Sequence, residues 1–200
     1  MNSDKLKNKN IIFILVAVFV LSIFLGCRSK EVKNQGSPNS LNDTIVVYFS
    51  ATGNTEKVAQ TIADELHCGI YEILPDEEYT KEDLDWKNPD SRVSKEHKNP
   101  SIRPPFGEMM PALSVYKTLI IGYPIWFGQA PNIMKSYLDC NKDIPKSMRV
   151  IPFCTSGSTD IGKSAEHLFK GIPVRLEKGK RFSAETTDEE IINWIKNDFK

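Results

Sequence analysis

A strand that runs into a helix through a polar turn is the feature of this sequence that most constrains its fold. Thr44 to Phe49 form a continuous apolar run, which is typical of a strand covered on both faces of a parallel sheet. Beyond the turn, apolar residues recur at helical spacing, namely Val58, Ile62, Ala63 and Leu66. Gly69 is placed to end that helix. The unit therefore predicts the start of an alternating β–α fold.

The alternation continues along the chain. Further apolar strands are predicted at 70–74, 117–123, 148–154 and 172–176. Helices are predicted over 133–138, with Pro131 in the first turn, over 161–169, and over a last segment that starts with a capping box of Thr187 and Glu190. Five strands that alternate with helices predict an α/β domain with a five-stranded parallel sheet and helices on both faces.

One long segment interrupts this rhythm. Residues 75–111 are polar, charged and rich in proline, with only a weak helical pattern from Tyr79 to Trp86. A loop of this length inside a small domain is usually functional or mobile. We therefore expect the segment to contribute to the choice of partner or substrate.

The first 26 residues differ from the rest of the chain. Three lysines precede an apolar run from Ile11 to Leu25, followed at once by Gly26 and Cys27, which predicts a signal peptide over residues 1–26. The run is shorter than the roughly 20 residues of a spanning helix, although an uncleaved membrane anchor is the alternative. Polar residues 27–43 predict a flexible tether, and the domain follows at 44–200.

The end of the apolar run resembles a bacterial lipoprotein signal, in which the cysteine after the cleavage site is lipidated. Leu25-Gly26-Cys27 match the end of that pattern. Two positions depart from it, since an aliphatic residue is usual in place of Phe24 and a smaller residue in place of Leu25. The resemblance implies a lipid on Cys27 and a protein anchored to the cell membrane on its extracytoplasmic side.

Overall charge gives little information about partners. The 200 residues carry 26 basic and 26 acidic side chains, a formal net charge of +0, so nothing indicates nucleic acid as a partner.

Besides Cys27, the sequence contains Cys68, Cys140 and Cys154 without the spacing of a metal site, which favours three small buried residues. The three histidines are scattered, and structural or surface roles are expected for His67, His97 and His167.

Chemically unusual turns follow the first, third and fourth predicted strands, and ligands of open α/β sheets bind at this edge. The first turn, Ser50 to Thr55, offers hydroxyls, an amide and the N-terminus of a helix, which suit a single phosphate. It lacks the glycine and lysine patterns of triphosphate and dinucleotide loops. The alternative is a plain helix cap.

The second turn, Tyr123 to Pro131, carries Trp126 and Phe127 beside Gly128, so an aromatic ring could stack on a flat heterocycle or simply pack in the core. The third turn begins at Cys154 and exposes backbone amides from Thr155 to Ser158, which can hydrogen-bond the polar edge of a ring or belong to an ordinary surface loop.

Together, the three turns resemble the flavodoxin family, and the second and third are similar to a subgroup of bacterial flavodoxin-like proteins that includes lipoproteins. The resemblance covers about residues 44–199 and implies the strand order 2-1-3-4-5 and FMN as the cofactor. It implies that the phosphate is held by Ser50, Thr52, Gly53, Asn54 and Thr55. It implies that the isoalloxazine lies against Tyr123, Pro124, Ile125, Trp126, Phe127 and Gly128, and that its edge meets Thr155, Ser156, Gly157 and Ser158.

Three functions are compatible with these features. The leading hypothesis is an FMN-binding, membrane-tethered redox protein that exchanges electrons with a partner protein or a small acceptor. The alternatives are an FMN-dependent oxidoreductase acting on NAD(P)H or a quinone, and a surface binding protein that has lost flavin. The intact phosphate turn argues against the last.

Overall fold

The computed structural model describes residues 43–107, 109–142 and 144–199. Its strands are β1 (Thr44–Tyr48), β2 (Gly69–Glu72), β3 (Thr118–Pro124), β4 (Arg149–Thr155), β5 (Arg175–Leu176) and β6 (Lys180–Phe182). Its helices are α1 (Asn54–Leu66), α2 (Arg92–Lys98), α3 (Asn132–Cys140), α4 (Ser164–Leu168) and α5 (Asp188–Asp198), with a 3₁₀ turn at Leu113–Val115. The signal peptide, Cys27 and the tether up to residue 42 lie outside the described residues. Among the described helices, none has the length and apolarity needed to cross a membrane.

All strand pairs of the sheet are parallel, and the order is β2-β1-β3-β4-β5, as predicted. Side chains alternate between the two faces of a strand, so each face packs against a different layer. Val46, Tyr48 and Ile120 pack with apolar residues of α1 and α5. Val47 and Ile121 belong to the cluster on the other face, which includes residues of α3. Helices therefore cover both faces.

A close contact inside the sheet requires a glycine. Gly122 of β3 lies beside Phe153 of β4, and a Cβ atom on Gly122 would sit 2.0 Å from the Phe153 ring. The ring thus packs directly over the glycine backbone, near the edge that carries the turns.

The far edge of the sheet differs from the predicted single strand at 172–176. Two short strands occupy it instead, β5 opposite Arg149 and Val150, and β6 opposite Phe153 to Thr155. Pro152 lies in β4 between the residues that pair with β5 and those that pair with β6. It has no amide hydrogen to donate, which explains why the strand pairing is interrupted at this point. Gly179 lies close to Pro152, since a Cβ atom added to Gly179 would lie 2.9 Å from the Pro152 carbonyl oxygen.

Two helix boundaries also differ from the prediction. His67, not Gly69, takes the left-handed conformation that ends α1, and Gly69 already belongs to β2. Helix α4 is shorter than the expected 161–169, because Gly162 before it has a φ of +50°. The predicted capping box is present at the start of α5, where Thr187 accepts from the Glu190 amide.

The long segment 75–111 makes defined contacts rather than forming a structureless loop. It contains α2 but no helix over 79–86, where the weak pattern was noted. The Tyr79 hydroxyl donates to the buried carboxylate of Glu96 at 3.0 Å, and Arg92 donates to the same carboxylate at 3.0 Å. Asn132 of α3 donates to the Glu96 carbonyl at 2.8 Å. Buried polar contacts therefore fasten the segment to the domain.

Candidate functional site

The first turn, residues 50–55, lies between β1 and α1 with a left-handed glycine at its centre. Gly53 has a φ of +84° and is the N-cap of α1, and apart from its two chain neighbours no described residue comes within 4 Å of the place where a Cβ atom would stand. Its amide donates to Ser50 Oγ at 3.1 Å, and Asn54 Nδ2 donates to Thr52 Oγ1 at 3.3 Å. The exposed side chains of Thr52 and Asn54 thus stand beside a helix N-terminus, whose first amides have no acceptor within the helix.

No side chain of residues 50–55 carries a charge, so the turn depends on the helix N-terminus and on groups outside it for its electrostatics. Lys57, which follows the turn in α1, is directed toward the start of α5, since its Nζ donates to the Thr186 carbonyl at 2.9 Å. Glu56 lies in the first turn of α1. Burial and then the charge of Glu56 raise the pKa of Glu72 at the end of β2, while the Tyr48 hydroxyl hydrogen-bonded to it acts in the opposite direction. The turn therefore offers neutral donors that suit a single phosphate, and it contains no cation of its own for a polyphosphate.

Thr55 occupies a different position from the other residues of the turn. It is buried, and its hydroxyl lies 2.7 Å from the hydroxyl of Thr155, the last residue of β4. This contact joins the first turn to the third. The Thr55 hydroxyl is therefore already hydrogen-bonded to Thr155, whereas the Thr55 amide lies in the first turn of α1.

The second turn is a two-residue hairpin, Trp126 to Gln129. The Trp126 amide donates to the Gln129 carbonyl at 3.0 Å, and the Gln129 amide donates back at 2.9 Å. Both central residues have positive φ, +50° for Phe127 and +74° for Gly128. Ile125 donates its amide to the Thr155 carbonyl at 2.9 Å, so the hairpin base is tied to the end of β4. Pro124 ends β3, and Tyr123 is fully buried with its hydroxyl 3.1 Å from Ser164 Oγ.

The Trp126 ring is half-buried and already has aromatic neighbours. Its centroid lies 5.6 Å from that of Phe49 and 5.1 Å from that of Tyr79, both in edge-to-face geometry. Phe127 is more exposed and stacks on His97 at 4.3 Å with an interplanar angle of 11°. Both aromatic residues named from the sequence therefore lie at this edge, supported by residues of the long segment.

The third turn, residues 155–158, is fixed by a strand that the sequence did not reveal. The Ser156 amide donates to the Phe182 carbonyl at 3.1 Å, and Arg181 of β6 donates to the Ser156 carbonyl at 2.9 Å. Ser156 Oγ also donates to the Thr159 carbonyl. Gly157 and Ser158 remain exposed, and space is open around the Gly157 Cα. The three predicted turns are thus brought to one edge of the sheet, with hydrogen bonds between the first and third and between the second and third.

A family model described as flavodoxin matches residues 43–198. The chain belongs to the flavodoxin family. Asp43, assigned to the tether from the sequence, is part of the flavodoxin domain, because its carbonyl accepts the amides of Lys117 and Thr118 at 2.8 and 3.0 Å.

Solved structures agree with this assignment. A putative flavoprotein from Bacteroides uniformis is 35% identical, with a TM-score of 0.71, and the match covers 78% of this chain and 99% of that one. A putative flavoprotein from Bacteroides eggerthii is also 35% identical, with a TM-score of 0.69 over 76% of this chain and 95% of that one. A flavoprotein from Lactobacillus acidophilus, solved in complex with FMN, is 22% identical, with a TM-score of 0.59 over 76% and 97%, and shows the shared fold. A comparison with curated proteins gave no significant match.

Sequence reasoning missed several residues that support the site. His97 and His167 have structural contacts at the surface, as expected, but their place beside the hairpin was not predicted: His97 stacks on Phe127, and His167 Nδ1 lies 2.9 Å from Gln129 Oε1. No spacing pattern in the sequence relates them. Arg181 was missed because β6 was not predicted. Of the three cysteines expected to be buried, only Cys154 is, whereas Cys68 is half-buried and Cys140 exposed.

Proposed function

We propose that this flavodoxin-family protein binds FMN and transfers electrons between a partner and its bound flavin while tethered to the outer side of the cytoplasmic membrane. The observation that carries the proposal is the first turn, where hydroxyl and amide donors surround an open left-handed glycine at the N-terminus of a 13-residue helix. A dianionic phosphate monoester is stabilised by such a helix end. FMN supplies the electron-transfer chemistry when it is bound.

Separate groups of the chain would hold the two parts of the cofactor. The exposed side chains of Thr52 and Asn54 and the first amides of α1 would hold the phosphate. The hairpin and the third turn would contact the isoalloxazine, with Trp126 and Phe127 on one side and the exposed amides near Gly157 at the ring edge. The Lactobacillus acidophilus flavoprotein that was solved with FMN supports this choice of cofactor.

The test of the cofactor is a comparison of three flavins. The full chain, stripped of flavin, should bind FMN more tightly than riboflavin or FAD, as followed by flavin fluorescence. Thr52→Ala should weaken FMN by about 1–3 kcal/mol, because a hydrogen bond to a charged phosphate is lost. Thr61→Ala, two turns further along α1, is the control and should leave the affinity unchanged. Equal affinities for FMN and riboflavin would refute the phosphate assignment.

Steady-state assays with NADH and NADPH distinguish an electron carrier from an enzyme. A carrier loaded with FMN should exchange electrons with a protein partner but oxidise NADH and NADPH slowly and without saturation. Saturable oxidation of a nicotinamide, coupled to reduction of a quinone, would favour the alternative of an FMN-dependent oxidoreductase.

The membrane tether rests on residues 1–42, through the signal pattern and Cys27. Full-length protein should fractionate with membranes, whereas Cys27→Ser should lose its lipid and its firm attachment. If Cys27→Ser stays as firmly bound as the wild type, the apolar run is an uncleaved helix and the lipid anchor is wrong.

A further inference from the structure

A cavity of about 340 Å³ lies beside the hairpin, against the side chains of Trp126 and Phe127. Helix α2, the start of α3 and helix α4 form its other walls. Its size falls within the range of small-molecule sites. None of residues 50–55 or 155–158 lines it, so it is distinct from the phosphate turn and the third turn.

The walls of the cavity are largely apolar. Val93, Trp126, Pro131 and Leu168 contribute aliphatic or aromatic surface to it. A flat apolar body could be buried between these side chains with a favourable free energy of about 25 cal/mol for each Å² removed from water.

Two lysine side chains line this apolar space. Lys135 on α3 and Lys170 after α4 both line it, and among the described residues neither has a carboxylate within ion-pair distance. His97 and His167 line it as well. Glu96 is the acidic residue of the lining, but its carboxylate accepts hydrogen bonds from Arg92 and Tyr79. A bound anion would therefore meet uncompensated cations.

We propose that this cavity binds a small planar aromatic carboxylate. The ring would lie between the apolar walls, and the carboxylate would pair with Lys135 and Lys170. Both histidines that line the cavity also contact the hairpin, His97 on Phe127 and His167 on Gln129. A ligand here would thus lie against the same hairpin whose Trp126 and Phe127 are proposed to contact the flavin.

The test uses 2-naphthoate as the probe and the flavin-free full chain in detergent, with heats of binding measured by titration calorimetry against a detergent blank. Saturable 1:1 binding is expected, and the neutral isostere 2-naphthamide should bind at least tenfold more weakly. Lys135→Gln combined with Lys170→Gln should also weaken naphthoate at least tenfold. Lys146→Gln, an exposed lysine outside the cavity, is the matched control and should bind as the wild type does.

Two results would overturn the proposal. One is equal affinity for naphthoate and naphthamide, or for the wild type and the double variant, because the lysines would then have no role. The other is loss of naphthoate binding when FMN saturates the protein, because the probe would then occupy the flavin site. Circular dichroism of each variant separates a lost site from lost folding, and Lys170→Gln alone, at an exposed position, gives a second reading if the double variant is unfolded. Since the titrations of naphthoate, naphthamide and the lysine variants are made without flavin, a failure of the FMN proposal leaves those comparisons intact.

Discussion

The hydroxyl of Thr55 lies 2.7 Å from the hydroxyl of Thr155, although 100 residues separate them in the chain. Both residues are buried, so the bond forms out of reach of water. It connects the first residues of α1 to the last residue of β4, and therefore the first turn to the third. This contact thus helps to fix the relative position of two turns that are proposed to hold opposite ends of one cofactor.

Replacing either threonine with valine should destabilise the domain, because the shape is kept but a buried hydroxyl loses its partner. We expect each single change to lower the free energy of unfolding by about 1–3 kcal/mol, and the double change to cost less than the sum of the two. Urea unfolding of the wild type, the two single variants and the double variant measures the coupling energy between the two hydroxyls. Additive losses would show that the two hydroxyls do not interact.

Trp126 should report on flavin binding. Its half-buried ring packs edge-to-face with Phe49 and Tyr79, while the hairpin that carries it lies at the ligand edge of the sheet. The chain contains three tryptophans, so variants can separate their signals. We expect FMN to quench the fluorescence of the wild type and of Trp86→Phe, and to quench Trp126→Phe much less. Unchanged quenching in Trp126→Phe would place the ring away from this side chain.

The carboxylates beside the phosphate turn should make stability depend on pH. Burial and then the charge of Glu56 raise the pKa of Glu72. The folded protein then holds the Glu72 proton more firmly than the unfolded chain does, so this contribution to stability is present below the usual carboxyl pKa and is lost as pH rises through the raised one.

Glu72→Gln should therefore gain stability relative to the wild type as pH rises from 4 to 7, as measured by urea unfolding. Glu56→Gln should give part of the same effect, and it should also strengthen FMN binding because a negative charge near the phosphate is removed. Glu78→Gln, at an exposed position, is the control and should run parallel to the wild type. If the free energy of unfolding of Glu72→Gln also depends on pH as that of the wild type does, the prediction is wrong.

The sequence predicted the parts of the fold that follow from local patterns. The apolar run before the turn and the helical spacing after it correctly placed β1 and α1, and the alternation of elements gave the parallel sheet. The split edge could not be predicted in the same way, because it depends on how Pro152 and Gly179 meet across two strands. Likewise, Gly69 was assigned to the end of α1, since glycine usually takes the left-handed position that His67 occupies here.

The site shows a similar division. Each turn could be recognised from its own residues, and the order of strands brings all three to one edge. The supports of the turns are long-range contacts without a local signal, as with Thr55 and Thr155 or Phe127 and His97. For the long segment, the sequence predicts an irregular loop that contributes to the choice of partner or substrate. It does not predict how the segment is attached, because the buried Glu96 is compensated by Arg92 and Tyr79 through a geometry that composition does not reveal.

The long segment should depend on the pairing of Arg92 with Glu96 for its attachment beside the hairpin. Glu96 is only 5% exposed. Its carboxylate accepts hydrogen bonds from Tyr79 and from Arg92. The Arg92 guanidinium also lies 3.8 Å from the centroid of the Tyr79 ring. Arg92→Met would keep an unbranched side chain over Tyr79 but leave a buried carboxylate without its cation.

We expect Arg92→Met to lower the free energy of unfolding by about 1–3 kcal/mol at pH 7. Burial raises the pKa of Glu96 above its usual value, and the loss of Arg92 raises it further, so protonation should relieve the penalty. The cost of Arg92→Met should accordingly shrink as pH falls toward 4, and Arg92→Met combined with Glu96→Gln should recover part of the stability at pH 7. Since Tyr79 packs on Trp126, the single variant should also change the tryptophan emission, whereas Lys95→Met, exposed on the same helix, should not. A penalty for Arg92→Met that is the same at pH 4 and pH 7 would show that the guanidinium stabilises the segment by packing rather than by charge.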